Sequence, residues 1–238
     1  MRQTTSRSGV LVVLKTIVDS NERRMLHYLS GLKESSNHPI PLLDAIDLSI
    51  KKTIIVLPRK SPLVGVLQFS DRPNDVVSLC LQFIEGVAFL HRHNVAYCDL
   101  KPDNVVVDTK SESQLFPQLF IIDFDLALSV ESEETMTEGW CGTPPWIAPE
   151  LGSRNGPIRR YSPILADRWA CGQMIEYSAK YFSIYEGAKK KRLRAFARRL
   201  VDVDPRARPG LNQLQAIHGP RKRKAPKGRH ESVILVSS

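Results

Sequence analysis

The chain is 238 residues long, 42% hydrophobic and 25% charged, with a formal net charge of +9. That is enough apolar content for a buried core in one large domain or two small lobes, and its longest apolar runs, Val10 to Leu14 and Thr53 to Leu57, fall far short of the roughly 20 residues needed to cross a bilayer. The opening MRQTTSRSG leads into only a short apolar run and offers no small-residue cleavage site, so a signal peptide and a membrane span are both excluded as readings and a cytoplasmic or nuclear protein is expected.

In chain order, Gly9 to Ile17 reads as a strand, and Ser20 offers the N-cap of a helix whose apolar positions Met25, Leu26, Leu29 and Leu32 recur every three or four residues. Strand-like runs follow near Pro41 to Leu48 and Lys51 to Leu57. Pro58 breaks the pattern, and Arg59 to Pro62 reads as a linker. Val77, Leu81, Ile84, Ala88 and His91 line one face of a long helix. The apolar runs Val105 to Val107 and Leu119 to Ile122 suit a two-stranded hairpin. Beyond about Glu150 the pattern is helical, and Lys189 to Arg192, Arg194, Arg198 and Arg199 alternate with Leu193, Phe196, Ala197 and Leu200 as the solvated face of an amphipathic helix would. Cys80, Cys98, Cys141 and Cys171 are widely separated, with no C-x-x-C pair, and read as reduced, packed thiols. From Gly219 onward, six Lys/Arg face only Glu231, so the tail carries +5 of the total charge. It has too few apolar residues to pack. A solvating tail is one reading; a nucleic-acid or import-receptor contact is the other.

The chemistry lies between Tyr97 and Glu150. In YCDLKPDNVVVD, Asp99, Lys101 and Asn104 sit on a loop between the long helix and a strand, and Asp123 follows the next strand in IIDFDLAL. Two acids and an amide at strand ends meet the needs of phosphoryl transfer: a base for the attacking hydroxyl, oxygen ligands for magnesium, and a cation for the transferring charge. Each residue alone is an ordinary turn former, so the joint spacing is the signal.

These stretches resemble the motifs of eukaryotic protein kinases. DLKPDN is similar to the catalytic loop, DFD stands in the place of D-F-G, and GTP (Gly142 to Pro144) precedes APE (Ala148 to Glu150). Asp167, Trp169 and Gly172 form D-x-W-x-x-G, and Arg208 in DPRARP falls where the family pairs an arginine with the APE glutamate, here Glu150. The resemblance covers roughly Gly9 to Ile217, and Lys101 with the G-T-P sequence places it on the Ser/Thr branch. It implies an α+β, two-lobed fold: a reduced, β-rich N-lobe over residues 1–59, a mainly helical C-lobe over 60–218, and a basic tail over 219–238. It also implies ATP and magnesium between the lobes and transfer of the γ-phosphate to a hydroxyl of a protein substrate. Asp99 would accept the hydroxyl proton, Lys101 would contact the γ-phosphate, and Asn104 and Asp123 would hold magnesium. Lys15 in VVLKTI would bind phosphates, Glu22 in NERRML would pair with it, Val13 and Val106 would sandwich adenine, and Leu57 would guard the back of the pocket. Thr143, Glu150, Asp167 and Arg208 would be structural.

The departures carry their own expectations. No G-x-G-x-x-G lies among the fourteen residues before Lys15. The domain thus reads as N-terminally truncated, without the two strands and glycine loop that cover ATP phosphates, and with its upper wall ending at the Lys15 strand. Asp125 replaces the DFG glycine, which restricts flipping of that segment. Tyr97 and Cys98 replace the usual His and Arg. The tyrosine can still pack on Phe124, but the cysteine cannot bind a phosphate on the activation segment, so phosphorylation at Thr135 or Thr137 is not expected to act through this loop. Two alternatives remain at this stage. One is a pseudokinase serving as a binding module. The other is a haloacid-dehalogenase-type phosphatase built on the D-x-D of Asp123 and Asp125, which leaves DLKPDN and GTPPWIAPE unexplained.

Overall fold

A computed structural model of the chain describes residues 2–5, 11–18, 21–69, 73–109, 117–181 and 187–213. Gly9, Ser20, Ile217 and the basic tail, to which the sequence assigned a strand start, an N-cap, the end of the family resemblance and a solvated or binding segment, lie outside the described residues.

The first sheet contains β1 (Arg2–Thr5), β2 (Leu11–Val18), β3 (Asp44–Ser49) and β4 (Lys52–Pro58) in the order β1-β2-β4-β3. β1 pairs antiparallel with β2, Arg2 opposite Leu14 and Thr5 opposite Leu11. This corrects the expectation that the upper wall ends at the Lys15 strand. RQTT has no apolar alternation to announce a strand, but an edge strand needs only its backbone donors and acceptors. Opposed residues of an antiparallel pair share a face, so Val13 and Lys15 of β2 lie on the same side as their β4 partners Leu57 and Ile55. Ile55 and Leu57 are buried in one cluster with Met25, Leu26 and Leu29 of α1 (Asn21–Ser30).

Two short elements follow, β5 (Ser61–Pro62) and α2 (Leu63–Phe69). Arg59 to Pro62 is therefore not a plain linker: Ser61 and Pro62 pair with Val107 and Val106, and Lys60 forms an ion pair with Asp108. Pro62 is tolerated because β5 is the edge of the sheet β5-β7-β8. The long helix α3 (Pro73–Arg92) leads into β6 (Val95–Ala96), and β7 (Val105–Asp108) with β8 (Gln118–Ile121) makes the expected hairpin. The loop after α1 docks on that hairpin: Ile40 N–H donates to Ile121 O (2.8 Å) and Ile121 N–H to His38 O (2.9 Å).

β9 (Leu128–Ser129) pairs with β6, and β10 (Thr137–Glu138) pairs with β11 (Arg160–Tyr161), pinning the intervening segment at two points. Helix α4 (Pro163–Ala179) starts at Ser162, whose Oγ accepts from Leu165 N–H, with Pro163 at the first helical position. It packs on α5 (Ala188–Leu200) at Gly172, where an added Cβ would lie 2.7 Å from Val201 and 2.9 Å from the Ala197 carbonyl. On α5, Leu193, Phe196, Ala197 and Leu200 are buried, and Lys189, Lys191, Arg192, Arg198 and Arg199 face solvent; Lys190 departs from the expected solvated set and is buried. The main buried apolar cluster extends from Ile17 to Leu211 and includes Tyr97 and Phe124. No helix among the described residues is long and apolar enough to cross a membrane.

Candidate active site

Asp99 lies on the loop between β6 and β7, where α4 holds the backbone from behind. Asp167, almost fully buried, accepts from Tyr97 N–H (2.6 Å) and Cys98 N–H (2.9 Å) and also meets His91 Nε2 at 3.1 Å. Cys98 adopts a left-handed backbone with φ of 68°. Two carboxylate interactions thus fix the turn that presents Asp99.

Both oxygens of Asp99 have partners. Lys101 Nζ (2.6 Å) and Asn104 Nδ2 (3.0 Å) donate to Oδ2, and Thr143 Oγ1 (2.8 Å) donates to Oδ1. Lys101 Nζ also donates to Thr143 Oγ1 (2.8 Å), which ties the loop to the segment before APE. The close approach needs Gly142, at φ of 95°: a Cβ there would meet Cys98 O at 3.1 Å. Asn104 spends its side-chain amide N–H groups on Asp99, while its backbone carbonyl accepts from Ile122 N–H (3.0 Å), next to Asp123.

Across the cleft, Lys15 Nζ contacts Glu22 Oε2 at 2.7 Å and Asp123 Oδ1 at 2.8 Å. Burial alone would lower the Lys15 pKa, but hydrogen bonds to Asp123 and Glu22 outweigh it and raise the pKa. Burial pushes Glu22 up, against the pull of Lys15. Asp123 sits at φ of 65°, so the left-handed residue of this segment is the aspartate itself, and Asp125 does not need glycine's freedom in this conformation. Phe124 is buried against Tyr97, edge to face at 5.2 Å between ring centres, as expected, and the Tyr97 hydroxyl donates to Ile122 O.

Residues 63–215, well over half of the chain, match the protein kinase domain family. The chain belongs to that family. It is 30% identical over 160 residues to the phosphorylase b kinase gamma catalytic chain, liver/testis isoform, of Mus musculus (64% of this chain, 37% of that one). It is 37% identical over 119 residues to serine/threonine-protein kinase 17A of Oryctolagus cuniculus (49% and 27%), and 36% identical over 94 residues to CBL-interacting serine/threonine-protein kinase 8 of Arabidopsis thaliana (40% and 19%). The chain spans at most 37% of the length of these relatives.

The sequence-derived residues fall into two hydrogen-bonded groups: Asp99, Lys101, Asn104 and Thr143 in one, Lys15, Glu22 and Asp123 in the other, with the Asn104 backbone carbonyl bonded to Ile122 N–H beside Asp123. Val13 and Leu57 are opposed on neighbouring strands, and half-buried Val106 lies on β7 opposite Phe120. Glu150 and Arg208 form the expected ion pair behind the site (Nη1 to Oε1 2.6 Å, Nη2 to Oε2 2.8 Å).

Three features were not anticipated from sequence. Asn21 Nδ2 donates to the carbonyls of Asp125 (2.8 Å) and Ala127 (2.9 Å), with Phe124 O at 3.4 Å, so the first residue of α1 holds the DFD segment. Cys141 Sγ lies 3.0 Å from the Tyr161 hydroxyl and donates to the Cys98 carbonyl at 3.8 Å; the Cys98 side chain, helped by Tyr161, lowers the Cys141 pKa to about 7 against the resistance of burial. Arg168, beside Asp167, forms an ion pair with Glu133 of the activation segment. Each stood beside a motif, Asn21 before Glu22, Cys141 before Gly142 and Arg168 after Asp167, but no motif names the contact it makes.

Proposed function

We propose that this kinase domain transfers the γ-phosphate of Mg·ATP to a serine or threonine hydroxyl of a protein substrate. The observation that carries the reading is Lys15 joined at once to Glu22 and Asp123, so that the phosphate-binding cation, the residue that orients it and a metal-type carboxylate stand together. Magnesium suits the donor set. One Asp123 oxygen faces Lys15 and the side chain is 37% exposed, while the Asn104 amide nitrogen is committed to Asp99, which leaves its oxygen as the available acceptor. A hard cation bound through one carboxylate, one amide oxygen and the nucleotide's own phosphates is ordinary magnesium chemistry, and it would shield phosphate charge.

The chain's own groups do the rest. Glu22 keeps Lys15 extended toward the cleft, where its charge offsets that of the phosphates. Asp99 orients the substrate hydroxyl and accepts its proton as the oxygen attacks; Lys101, already beside Asp99 and Thr143, offers a second cation to the transferring group. Serine and threonine rather than tyrosine are the acceptors in keeping with the names of the relatives. Val13, Leu57 and Val106 would supply apolar contact to the base. A pseudokinase is the weaker reading, because a binding module does not require the Lys15–Glu22 pair and a fully hydrogen-bonded Asp99 together. We place the protein in the cytoplasm or nucleus, with the basic tail as the segment for an import-receptor or nucleic-acid contact.

The test is transfer from labelled Mg·ATP to a generic basic Ser/Thr peptide. Asp99→Asn and Asp123→Asn should each remove it, by about a hundredfold or more for the loss of the positioned base; full activity in both variants would sink the reading.

A further inference from the structure

Helix α4 uses two successive residues to hold two different parts of the site. Asp167 grips the catalytic loop through Tyr97 and Cys98 N–H. Arg168, its neighbour, points its guanidinium at the activation segment: Nη2 meets Glu133 Oε2 as an ion pair, and Nη1 reaches Arg208 O at 3.3 Å. The Arg168 side chain is only 10% exposed and its Nε is buried with no hydrogen-bond partner, whereas Glu133 is 51% exposed. A buried guanidinium that loses its carboxylate is strongly penalised, so the pairing draws Glu133 inward. The same residue is held through its backbone, since Ser162 Oγ donates to Glu133 O at 2.6 Å. Around it the segment is closed by its own groups: Thr135 Oγ1 accepts from Glu131 N–H and Ser132 N–H (3.1 Å each), and Val130 N–H donates to Asn94 O (2.8 Å).

In a kinase domain switched by phosphorylation, a phosphate supplies negative charge that orders this segment against a basic residue. Cys98 has a neutral thiol with no charge to offer a phosphate, and its carbonyl accepts from Cys141 Sγ. We propose that Glu133 on Arg168 is a built-in latch that orders the activation segment without phosphorylation, with Glu133 in the role of the phosphate and Arg168 in that of its receptor. Both are positioning residues: neither touches the reacting atoms, and the latch acts through β10, Gly142 and Thr143 on Asp99. This inference rests on the kinase reading for its consequence but not for its geometry.

Amide hydrogen exchange and steady-state kinetics on the full chain separate the two. Phosphatase-treated wild-type protein and Thr137→Ala should keep the slow exchange of residues 131–139 and, in transfer, stay within about threefold of untreated protein, the scale of a neutral surface change. Glu133→Gln should speed exchange over 131–139 by about tenfold or more, the factor for a lost bond to a charged group, with α3 unchanged as the control for folding. It should raise KM for the peptide while leaving KM for ATP alone, and Glu133→Asp should recover most of both. Arg168→Gln added to Glu133→Gln should bring no further loss of protection over 131–139. If Glu133→Gln exchanges as slowly as wild type, or phosphatase alone opens the segment equally, the latch is wrong. If exchange responds as described while wild type transfers no phosphate, the latch stands and the kinase reading falls.

Discussion

Arg208 has no exposed side-chain surface, and its guanidinium holds both oxygens of Glu150 together with the carbonyls of Asp202 and Leu165. Removing it strands a carboxylate that is itself only 15% exposed. Arg208→Ala is expected to lower unfolding free energy by about 3–5 kcal/mol, read from denaturant melts; a variant as stable as the parent contradicts the pairing. The cysteines give a second residue-scale expectation. A thiol whose ordinary pKa is 9.0 is held at about 7 in Cys141, chiefly by the Cys98 hydrogen bond, so its thiolate is populated above pH 7 rather than above 9. Iodoacetamide should label Cys141 first, with a half-maximal rate near that lower value, and Cys98→Ala should move the midpoint up. Burial raises Cys80 to about 12 and Cys171 well above its ordinary value, so both should resist labelling in the folded protein. Labelling of Cys98, whose pKa is raised, ahead of Cys141 would contradict the opposite directions assigned to the two thiols.

At the scale of elements, the position of α1 is fixed from both ends of the site. Glu22 takes Lys15, and Asn21, one residue earlier, takes the carbonyls of Asp125 and Ala127. Asn21→Ala is expected to cost about 1–2 kcal/mol for two lost hydrogen bonds and to speed exchange at Leu126 to Leu128, with Gly86 in α3 as an unaffected reference; unchanged exchange there would remove the clamp from the account. The α4–α5 crossing depends on the missing side chain at Gly172. Gly172→Ala must push apart Val201, Leu200 and the Ala197 carbonyl, and overpacking of that kind typically costs about 1–3 kcal/mol. Elements of this kind were unevenly legible in the sequence. The β7–β8 hairpin and the amphipathic α5 follow from local periodicity, which both ladders and helix faces obey. β1 and β5 do not: RQTT and Ser61–Pro62 become strands only because β2 and β7 offer partners, and periodicity carries no information about distant partners.

For the whole molecule, the site was more legible than the contacts that hold it. Asp99, Lys101, Asn104, Asp123, Thr143 and Glu150 stand in motifs whose order and spacing identify them, and Lys15 and Glu22 follow once that order is accepted. Glu133 and Arg168 are 35 residues apart, Glu133 in no motif and Arg168 at the variable position of D-x-W-x-x-G, so only the fold brings them together. Lys15, Glu22 and Asp123 form the junction between the β-rich front and the helical back, and the account stands on that junction being a Mg·ATP site. Thermal unfolding with and without Mg·ATP tests it most directly. At nucleotide near 100 times its Kd, the wild-type midpoint should rise by a few degrees, equivalent to about 2.7 kcal/mol, and Lys15→Met, which removes the cation, should abolish most of that rise. An unchanged midpoint at saturating Mg·ATP, or a rise of equal size in Lys15→Met, would contradict it.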